Sequence, residues 1–354
     1  MAVAVLVSAC VGCGRRTTVE GRVPEFSGAT MGTVYHVKVV LQEPSETHLA
    51  DLQALIEAEL EDVEVRMSTY EADSELSRFN AHESTSPFRV STSTIEVFQL
   101  ALEISELTNG AFDITVGPLV NAWGFGPEAV PENPLAESEI QALMEHTGYE
   151  KIQVDPDTQT ITKEDPGVFC DLSAIAKGYA VDRVCTALEE AGYHDYMVEV
   201  GGEVRTGGVN GKGVPWRIGI VNPEPLKGDV ERIVPLSGWA MATSGDYRNF
   251  YERNGIQYSH TIDPRTGRPV THNLASVSVI DKNCSVADGY ATAIMVMGPD
   301  EAQRWAEEHN TIAFFIVRES VDRFRDITTT AFEEFVDQTG KSPEDEAKRV
   351  EVGR

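Results

Sequence analysis

Residues Asp171–Arg183 read DLSAIAKGYAVDR, and we expect the chain to be organised around this stretch. Asp171 and Ser173 are residue types that start helices, and apolar side chains follow them at helical spacing. The pattern predicts a helix from Asp171 in which Lys177 lies about one and a half turns in. A carboxylate, free helix-end amides and a lysine favour a bound phosphate, with or without a metal ion. An ordinary capped surface helix has the same pattern.

The composition is strongly acidic. The chain has 354 residues, of which 41% are hydrophobic, so it can bury the core of one large domain or two ordinary ones. Its 29 basic and 57 acidic residues give a formal net charge of −28. Nucleic-acid binding needs a basic surface, which excludes DNA and RNA as partners. A phosphate-bearing substrate would need a divalent cation such as Mg²⁺ to offset the repulsion.

The two ends of the chain differ from its middle. A short apolar run ends in Val7-Ser8-Ala9-Cys10, which resembles a bacterial lipobox, although an ordinary leader can have a similar composition. We expect residues 1–22 to be a lipoprotein signal and linker. Cys10 would then be lipidated, and the exported chain would be anchored at the periplasmic face of the membrane. Residues 326–354 are expected to form an acidic tail, either a frayed helix or a solvated segment, which leaves 23–325 as one folded domain.

The remaining pattern predicts an α+β fold, with a core of antiparallel strands flanked by helices, because no regular βαβ alternation is present. Around Ser74–Phe79 we expect only a short turn. The irregular stretch 110–126, GAFDITVGPLVNAWGFG, is typical of a core crossing or of a pocket wall. Cys170, Cys185 and Cys284 lack metal-binding spacing and are expected to be buried, with Cys170 near the site because it adjoins Asp171.

A second group of candidate residues lies near the C-terminal end. Asp288 and Thr292 are four residues apart in a predicted helix and therefore share one face. A carboxylate and a hydroxyl on one face can supply two hard oxygen ligands to Mg²⁺. Asp288 could equally be a helix N-cap and Thr292 a packing residue. His260 lies in a turn-rich loop, where it could be a general base or a loop hydrogen-bond donor.

Eight motifs in order resemble the ApbE family of bacterial FAD:protein FMN transferases. They are MGTVYHVKV, MSTYEADSELSRFN, GAFDITVGPLVNAWGFG, DLSAIAKGYAVDR, VEVGGEVRTGG, ATSGDY, YSHTIDPRTGRPV and ADGYATAIMVMG, and together they span about Phe26 to Val317. The resemblance implies a T-fold-like α+β domain at 23–325 and a Mg²⁺-dependent, usually lipid-anchored enzyme. Such an enzyme cleaves FAD, its substrate, attaches FMN through a phosphoester to a Thr or Ser of a redox-protein subunit, and releases AMP.

The resemblance also assigns residues to roles. It implies flavin or FAD contacts at the positions Met31, Tyr70, Gly110, Ala111, Phe112, Asp171, Lys177 and Ile262. It implies metal ligation by the side chains of Asp288 and Thr292 and by the backbone carbonyl of Ala174. Some members carry a second metal-binding Asp where this chain has Ala291. In the hypothesis that follows, Asp288 holds the metal during catalysis, and His260 or a nearby carboxylate deprotonates the incoming hydroxyl.

Three functions are compatible with these motifs. The first is the transferase, the second an FAD pyrophosphatase that yields FMN and AMP, and the third a non-catalytic flavin-binding lipoprotein. The metal-binding face argues against pure binding. Residues 27–30, SGAT, are similar to the acceptor site of flavinylated proteins. This tetrapeptide would permit self-flavinylation, but we favour its being part of the chain's own active-site loop.

Overall fold

The computed structural model of the chain describes residues 22–126, 131, 133–223, 230–246, 250–253, 256–320 and 323–339. The predicted lipobox with Cys10 and the last part of the predicted acidic tail lie outside these residues.

The elements are named in chain order. The helices are α1 (Glu46–Met67), α2 (Glu75–Asn80), α3 (Thr92–Leu107), α4 (Gly117–Ala122), α5 (Glu137–Met144), α6 (Ala176–Glu190), α7 (Cys284–Met297), α8 (Pro299–Glu308) and α9 (Thr330–Thr339). The strands are β1 (Glu25–Thr30), β2 (Thr33–Val39), β3 (Phe88–Arg89), β4 (Ile152–Asp155), β5 (Thr160–Lys163), β6 (Tyr196–Val200), β7 (Glu203–Gly207), β8 (Trp216–Val221), β9 (Val230–Leu236), β10 (Trp239–Gly245), β11 (Phe250–Arg253), β12 (Ile256–Ser259), β13 (Ile262–Asp263), β14 (Arg268–Pro269), β15 (Leu274–Asp281), β16 (Ile312–Ser320) and β17 (Arg323–Thr328).

One large sheet forms the centre of the molecule. Its eight strands follow the order β1-β2-β6-β7-β10-β15-β16-β17, and every neighbouring pair is antiparallel. The other strands form a β3-β5-β4 sheet and the pairs β8-β9, β11-β12 and β13-β14. The predicted α+β class with an antiparallel core is therefore confirmed.

Both faces of the large sheet are buried along β15 and most of β16. Helices α1, α3, α6 and α7 cover one face, while the β8-β9 pair and α9 cover the other. Strand β16 shows the alternation directly, because Ala313, Phe315 and Val317 enter the helical core and Phe314 and Ile316 enter the opposite one. Burial on both faces explains the nearly continuous apolar sequence of β15 and β16.

Local sequence determines where several helices begin. The Ser45 hydroxyl caps α1 by accepting a hydrogen bond from the His48 amide at 3.2 Å. Ser74 caps α2 in the same way through the Ser77 amide, at 2.9 Å. The stretch Ser74–Phe79, expected to be only a turn, is therefore a short helix. All three described cysteines are buried, as predicted.

The acidic-tail prediction is wrong for residues 326–339. Residues 326–328 belong to β17, which pairs with β16, and α9 follows directly. Phe332 and Phe335 of α9 are buried in the second core, next to Phe314 and Trp239. The prediction failed because it weighed the acidic residues of the whole stretch 326–354 and not the spacing of Phe332 and Phe335, which puts both on one helical face.

Replacing Phe332, which is fully buried, should therefore destabilise the whole domain. We expect Phe332→Ala to lower the unfolding free energy by about 3–5 kcal/mol because it leaves a cavity between α9 and the sheet. Thermal unfolding followed by circular dichroism measures the loss. The exposed neighbour Glu334 provides the control Glu334→Ala. Equal melting temperatures for the two variants would mean that α9 adds nothing to the fold.

Candidate functional site

A deep cavity of about 1110 Å³ opens where the N-terminal end of α6 meets α7 and the β6-β7 turn. Its wall includes β8, the end of β10, the loop after β12 and parts of the 111–126 stretch. This volume suits a ligand as large as a dinucleotide. The predicted site residues that line it are Tyr70, Ala111, Phe112, Asp171, Ala174, Lys177, His260, Ile262, Asp288 and Thr292.

Met31 and Gly110, both within the described part of the chain, are not among the cavity's lining residues. Met31 has a φ of +48° in the β1-β2 turn and packs against the helical core. Gly110 has a φ of +73° and ends the turn that follows α3. Cys170 is also absent from the described lining, because it is fully buried while its neighbours Phe169 and Asp171 face the cavity.

The central helix begins at Ala176 and not at Asp171 as predicted. The Asp171 carboxylate instead closes a turn before the helix by accepting from the Ser173 amide at 2.8 Å. Lys177 is therefore in the first helical turn. The Gly178 amide donates to Asp288 Oδ2 at 3.0 Å, so this helix-end amide is already used by a protein carboxylate.

Helices α6 and α7 cap each other. Asp288 of α7 receives the Gly178 amide of α6, and Asp182 of α6 receives the amides of Cys284 and Ser285, each at 2.9 Å. The two helices thus run antiparallel, with a carboxylate from each at the positive N-terminal end of the other. Asp288 lies in the second turn of α7, so the alternative that it caps its own helix is wrong.

The close approach of the two helices requires a glycine at 178. A Cβ atom there would lie 2.5 Å from the Cys284 carbonyl oxygen and 2.8 Å from Asp288 Cβ. Both neighbours are held by the reciprocal caps and cannot move independently. Gly178 is therefore what allows Lys177 and Asp288 to share the cavity floor.

Three charged side chains meet on that floor. Lys177 Nζ lies 2.8 Å from Glu203 Oε1 and 4.0 Å from Asp288 Oδ1. Asp288 and Glu203 are both buried, and Glu203 Oε2 has no hydrogen-bond partner in the described part of the chain. The sequence reasoning missed Glu203, although it directly follows the glycine pair of the VEVGGEVRTGG motif.

The protonation of this cluster reflects its burial. Burial raises the pKa of Asp288 to about 7; nearby Glu203 adds to the rise and Lys177 opposes it. Burial also raises the pKa of Glu203, again against the pull of Lys177. Burial alone would lower the pKa of Lys177, but the two carboxylates hold it above its ordinary value, so the ammonium stays charged.

The donors on this floor fit a hard divalent cation. Asp288, Thr292 and Ala174 line one cavity, and a carboxylate, a hydroxyl and a backbone carbonyl are oxygen ligands of the kind that Mg²⁺ prefers. Over the described ranges no group of three His, Cys, Asp or Glu side chains is arranged to hold a metal ion, so at this site one carboxylate would act with neutral oxygens. The unpartnered Glu203 Oε2 leaves buried negative charge that a cation would compensate.

His260 lies on the wall beside a series of stacked rings. Its ring centroid is 6.4 Å from that of Phe125, which stacks on Tyr251 at 5.2 Å. Tyr251 in turn stacks on Tyr258. His260 is half-buried and lines the cavity, so it can reach a bound ligand. Tyr70, by contrast, is 74% exposed and stands at the rim.

The SGAT tetrapeptide lies within β1 and not in a loop. Thr30 is only 7% exposed, and its hydroxyl faces Glu64 Oε2 at 3.5 Å. Gly28 packs against the Tyr35 ring of β2, with which it is paired. The Thr30 hydroxyl is therefore not presented to the cavity as an acceptor would be.

An antiparallel sheet with a charged, buried floor beneath a dinucleotide-sized cavity is the framework that the resemblance implies. The model of the ApbE family matches residues 31–316. This match spans most of the chain, and the chain belongs to the ApbE family.

Curated relatives match along nearly their whole lengths. The FAD:protein FMN transferase of Vibrio cholerae serotype O1 is 46% identical over 311 residues, which cover 88% of this chain and 92% of that protein. The FAD:protein FMN transferase of Escherichia coli K12 is 37% identical over 332 residues, 92% of this chain and 94% of that protein.

Solved structures agree with the fold. The flavin transferase ApbE from Vibrio cholerae superposes with a TM-score of 0.81 at 44% identity, covering 89% of this chain and 99% of that one. The apo flavinyl transferase ApbE of Pseudomonas stutzeri gives 0.82 at 38% identity, covering 91% of this chain and 98% of that one. Among the described helices, none has the length and apolarity needed to cross a membrane.

The tight helix contact leads to a stability prediction. We expect Gly178→Ala to lower the unfolding free energy by about 1–3 kcal/mol, because the added methyl group must push α6 and α7 apart. Thermal unfolding measures the change, with the exposed Glu190→Ala in the same helix as control. A Gly178→Ala protein as stable as wild type would show that the helices can separate without cost.

Proposed function

We propose that this chain is an FAD:protein FMN transferase that depends on Mg²⁺ and acts on a Thr or Ser of a flavin-accepting redox-protein subunit. The observation that carries the proposal is the Lys177–Glu203–Asp288 cluster on the cavity floor, in a chain whose relatives are named FAD:protein FMN transferases. The cluster offers an ammonium to a diphosphate and a carboxylate to a cation. Simple flavin binding needs neither.

The charge of the cavity floor supports a role for a divalent cation. Two buried carboxylates face one ammonium, so the ionised cluster carries one excess negative charge. The FAD diphosphate would add further negative charge in a region of low dielectric constant. We assign the cation to Asp288, Thr292 and the Ala174 carbonyl. Bound there, Mg²⁺ would neutralise the phosphate oxygens and polarise the phosphorus centre.

The chain's own residues have separate tasks in this proposal. The acceptor hydroxyl oxygen forms a bond to the FMN phosphorus of FAD, and the diphosphate P–O bond breaks so that AMP leaves. Lys177 stabilises the charge that develops on the phosphate oxygens. His260, which lines the same cavity, takes the hydroxyl proton, or a nearby carboxylate does so.

The flavin is assigned to other lining residues of the same cavity. Ala111, Phe112 and Ile262 provide apolar wall, Asp171 lies near the start of the central helix, and Tyr70 at the rim can cover a ring. Met31 and Gly110 would act by shaping the adjacent turns, since neither is among the described lining residues.

Transfer, hydrolysis and plain binding give different products. We expect purified protein with FAD, Mg²⁺ and an acceptor fragment to yield AMP and a fluorescent acceptor band that survives a denaturing gel. Asp288→Asn should lower the rate by at least about 100-fold, because it removes the anionic metal ligand. Asp300→Asn, at an exposed position of α8, is the matched control.

The product pattern distinguishes the three functions. AMP without a labelled acceptor would favour the pyrophosphatase, and bound but intact FAD would favour a binding protein. Full transfer by Asp288→Asn would refute the metal assignment.

Cation binding should depend on pH. The pKa of Asp288 is raised to about 7, so below this pH a proton competes with the cation, and affinity should fall about tenfold per pH unit. Above pH 7 the carboxylate is ionised and the affinity should level off. Calorimetric titration with Mg²⁺ between pH 5.5 and 8.5, about 1.5 units either side of that pKa, tests this. A flat profile would mean that Asp288 does not ligate the cation.

We also propose that residues 1–22 direct export and that Cys10 carries a lipid that anchors the chain at the periplasmic membrane face. The Val7–Cys10 pattern supports this part of the proposal. Mass spectrometry of the membrane fraction, with Cys10→Ser as the comparison, tests it.

A further inference from the structure

We propose that Glu203 is a positioning residue that holds Lys177 away from Asp288 and thereby keeps the Asp288 carboxylate available to a divalent cation. This inference rests on the proposed function, because it assumes that a cation binds at Asp288. Glu203 is not among the residues to which the motifs assign a role.

The two ion pairs of Lys177 differ in length. Lys177 Nζ is in hydrogen-bond contact with Glu203 Oε1 at 2.8 Å, whereas its distance to Asp288 Oδ1 is 4.0 Å. Asp288 keeps Oδ2 on the Gly178 amide, and among the described residues Oδ1 has no donor closer than the Lys177 ammonium at 4.0 Å. Asp288 Oδ1, which lies 4.0 Å from the Lys177 ammonium, is therefore the oxygen that can bind a metal.

A glycine turn between β6 and β7 places Glu203 beside Lys177. Gly201 and Gly202 have φ values of +63° and +111° and form the turn between β6 and β7, and Glu203 is the first residue of β7. A Cβ atom at Gly201 would lie 3.2 Å from Lys177 Cδ. The glycine turn thus leaves room for the lysine stem to pass to Glu203.

Without Glu203 as its partner, the Lys177 ammonium would have Asp288 as its nearest carboxylate. Lys177 is on the same floor as Asp288, and a buried ammonium is strongly destabilised unless it pairs with a carboxylate. With a neutral group at 203, we expect Lys177 to close the gap to Asp288. The resulting direct ion pair would occupy the oxygen that a cation needs. Glu203 would therefore act on the metal without touching it.

Binding of Mn²⁺ alone, measured by electron paramagnetic resonance of the free ion, tests this without catalysis. Glu203→Gln should weaken Mn²⁺ binding about 10–100-fold, as the loss of an outer-shell partner typically does. Glu190→Gln is the matched control, because Glu190 is an exposed carboxylate at the end of α6, the helix that carries Lys177, and is not among the cavity's lining residues. Circular dichroism and thermal unfolding establish that each variant is folded.

A double-mutant cycle separates positioning from direct ligation. In a Lys177→Met background no ammonium is present to move, so Glu203→Gln should cost less than about threefold in Mn²⁺ affinity. Lys177→Gln provides a second form of the same cycle if Lys177→Met does not fold.

The outcomes are distinct. An equal loss in both backgrounds would overturn the inference and make Glu203 a direct ligand through Oε2. Wild-type affinity in Glu203→Gln would also overturn it, with the proposed function intact. If the wild-type protein binds no Mn²⁺, the cation site of the proposed function fails first.

Discussion

The exchange of carboxylates between α6 and α7 is the interaction on which the site depends. Asp182 and Asp288 each accept backbone amides at the start of the other helix, which fixes both the direction and the separation of the pair. The same contact that stabilises the helices brings Lys177 and Asp288 to one cavity floor. Asp288 thus has a structural role through Oδ2, and this helix contact does not use Oδ1.

The overall charge of the chain and the chemistry of the cavity fit together. A chain with a formal charge of −28 repels anions at long range, so recognition of a diphosphate must be local. The floor supplies that local recognition with one charged lysine and oxygen donors for a cation. Membership of the ApbE family, with relatives aligned over almost their full lengths, agrees with this reading of the cavity.

Much of this could be predicted from the sequence. The absence of a regular βαβ alternation predicted the antiparallel core, the order of the motifs predicted the family, and most of the residues that the motifs implied for the site do line the cavity. The start of α6 could not be predicted, because the cap that defines it is Asp288, more than a hundred residues away. Glu203 was missed for a related reason, since its burial and its lysine partner exist only after β7 joins the sheet. For α9 a frayed helix was one of the two expectations, but its packing against the sheet through Phe332 and Phe335 was missed because acidic residues surround them.

The burial of Thr30 bears on how such an enzyme avoids modifying itself. Its SGAT tetrapeptide is similar to an acceptor sequence, yet the threonine hydroxyl is sequestered in β1, which is the edge strand of the large sheet. The packing of β1 against α1, and not the local sequence, is what withholds this hydroxyl. While β1 stays packed on α1, the tertiary structure separates a resident SGAT sequence from an acceptor one, although the four residues are the same.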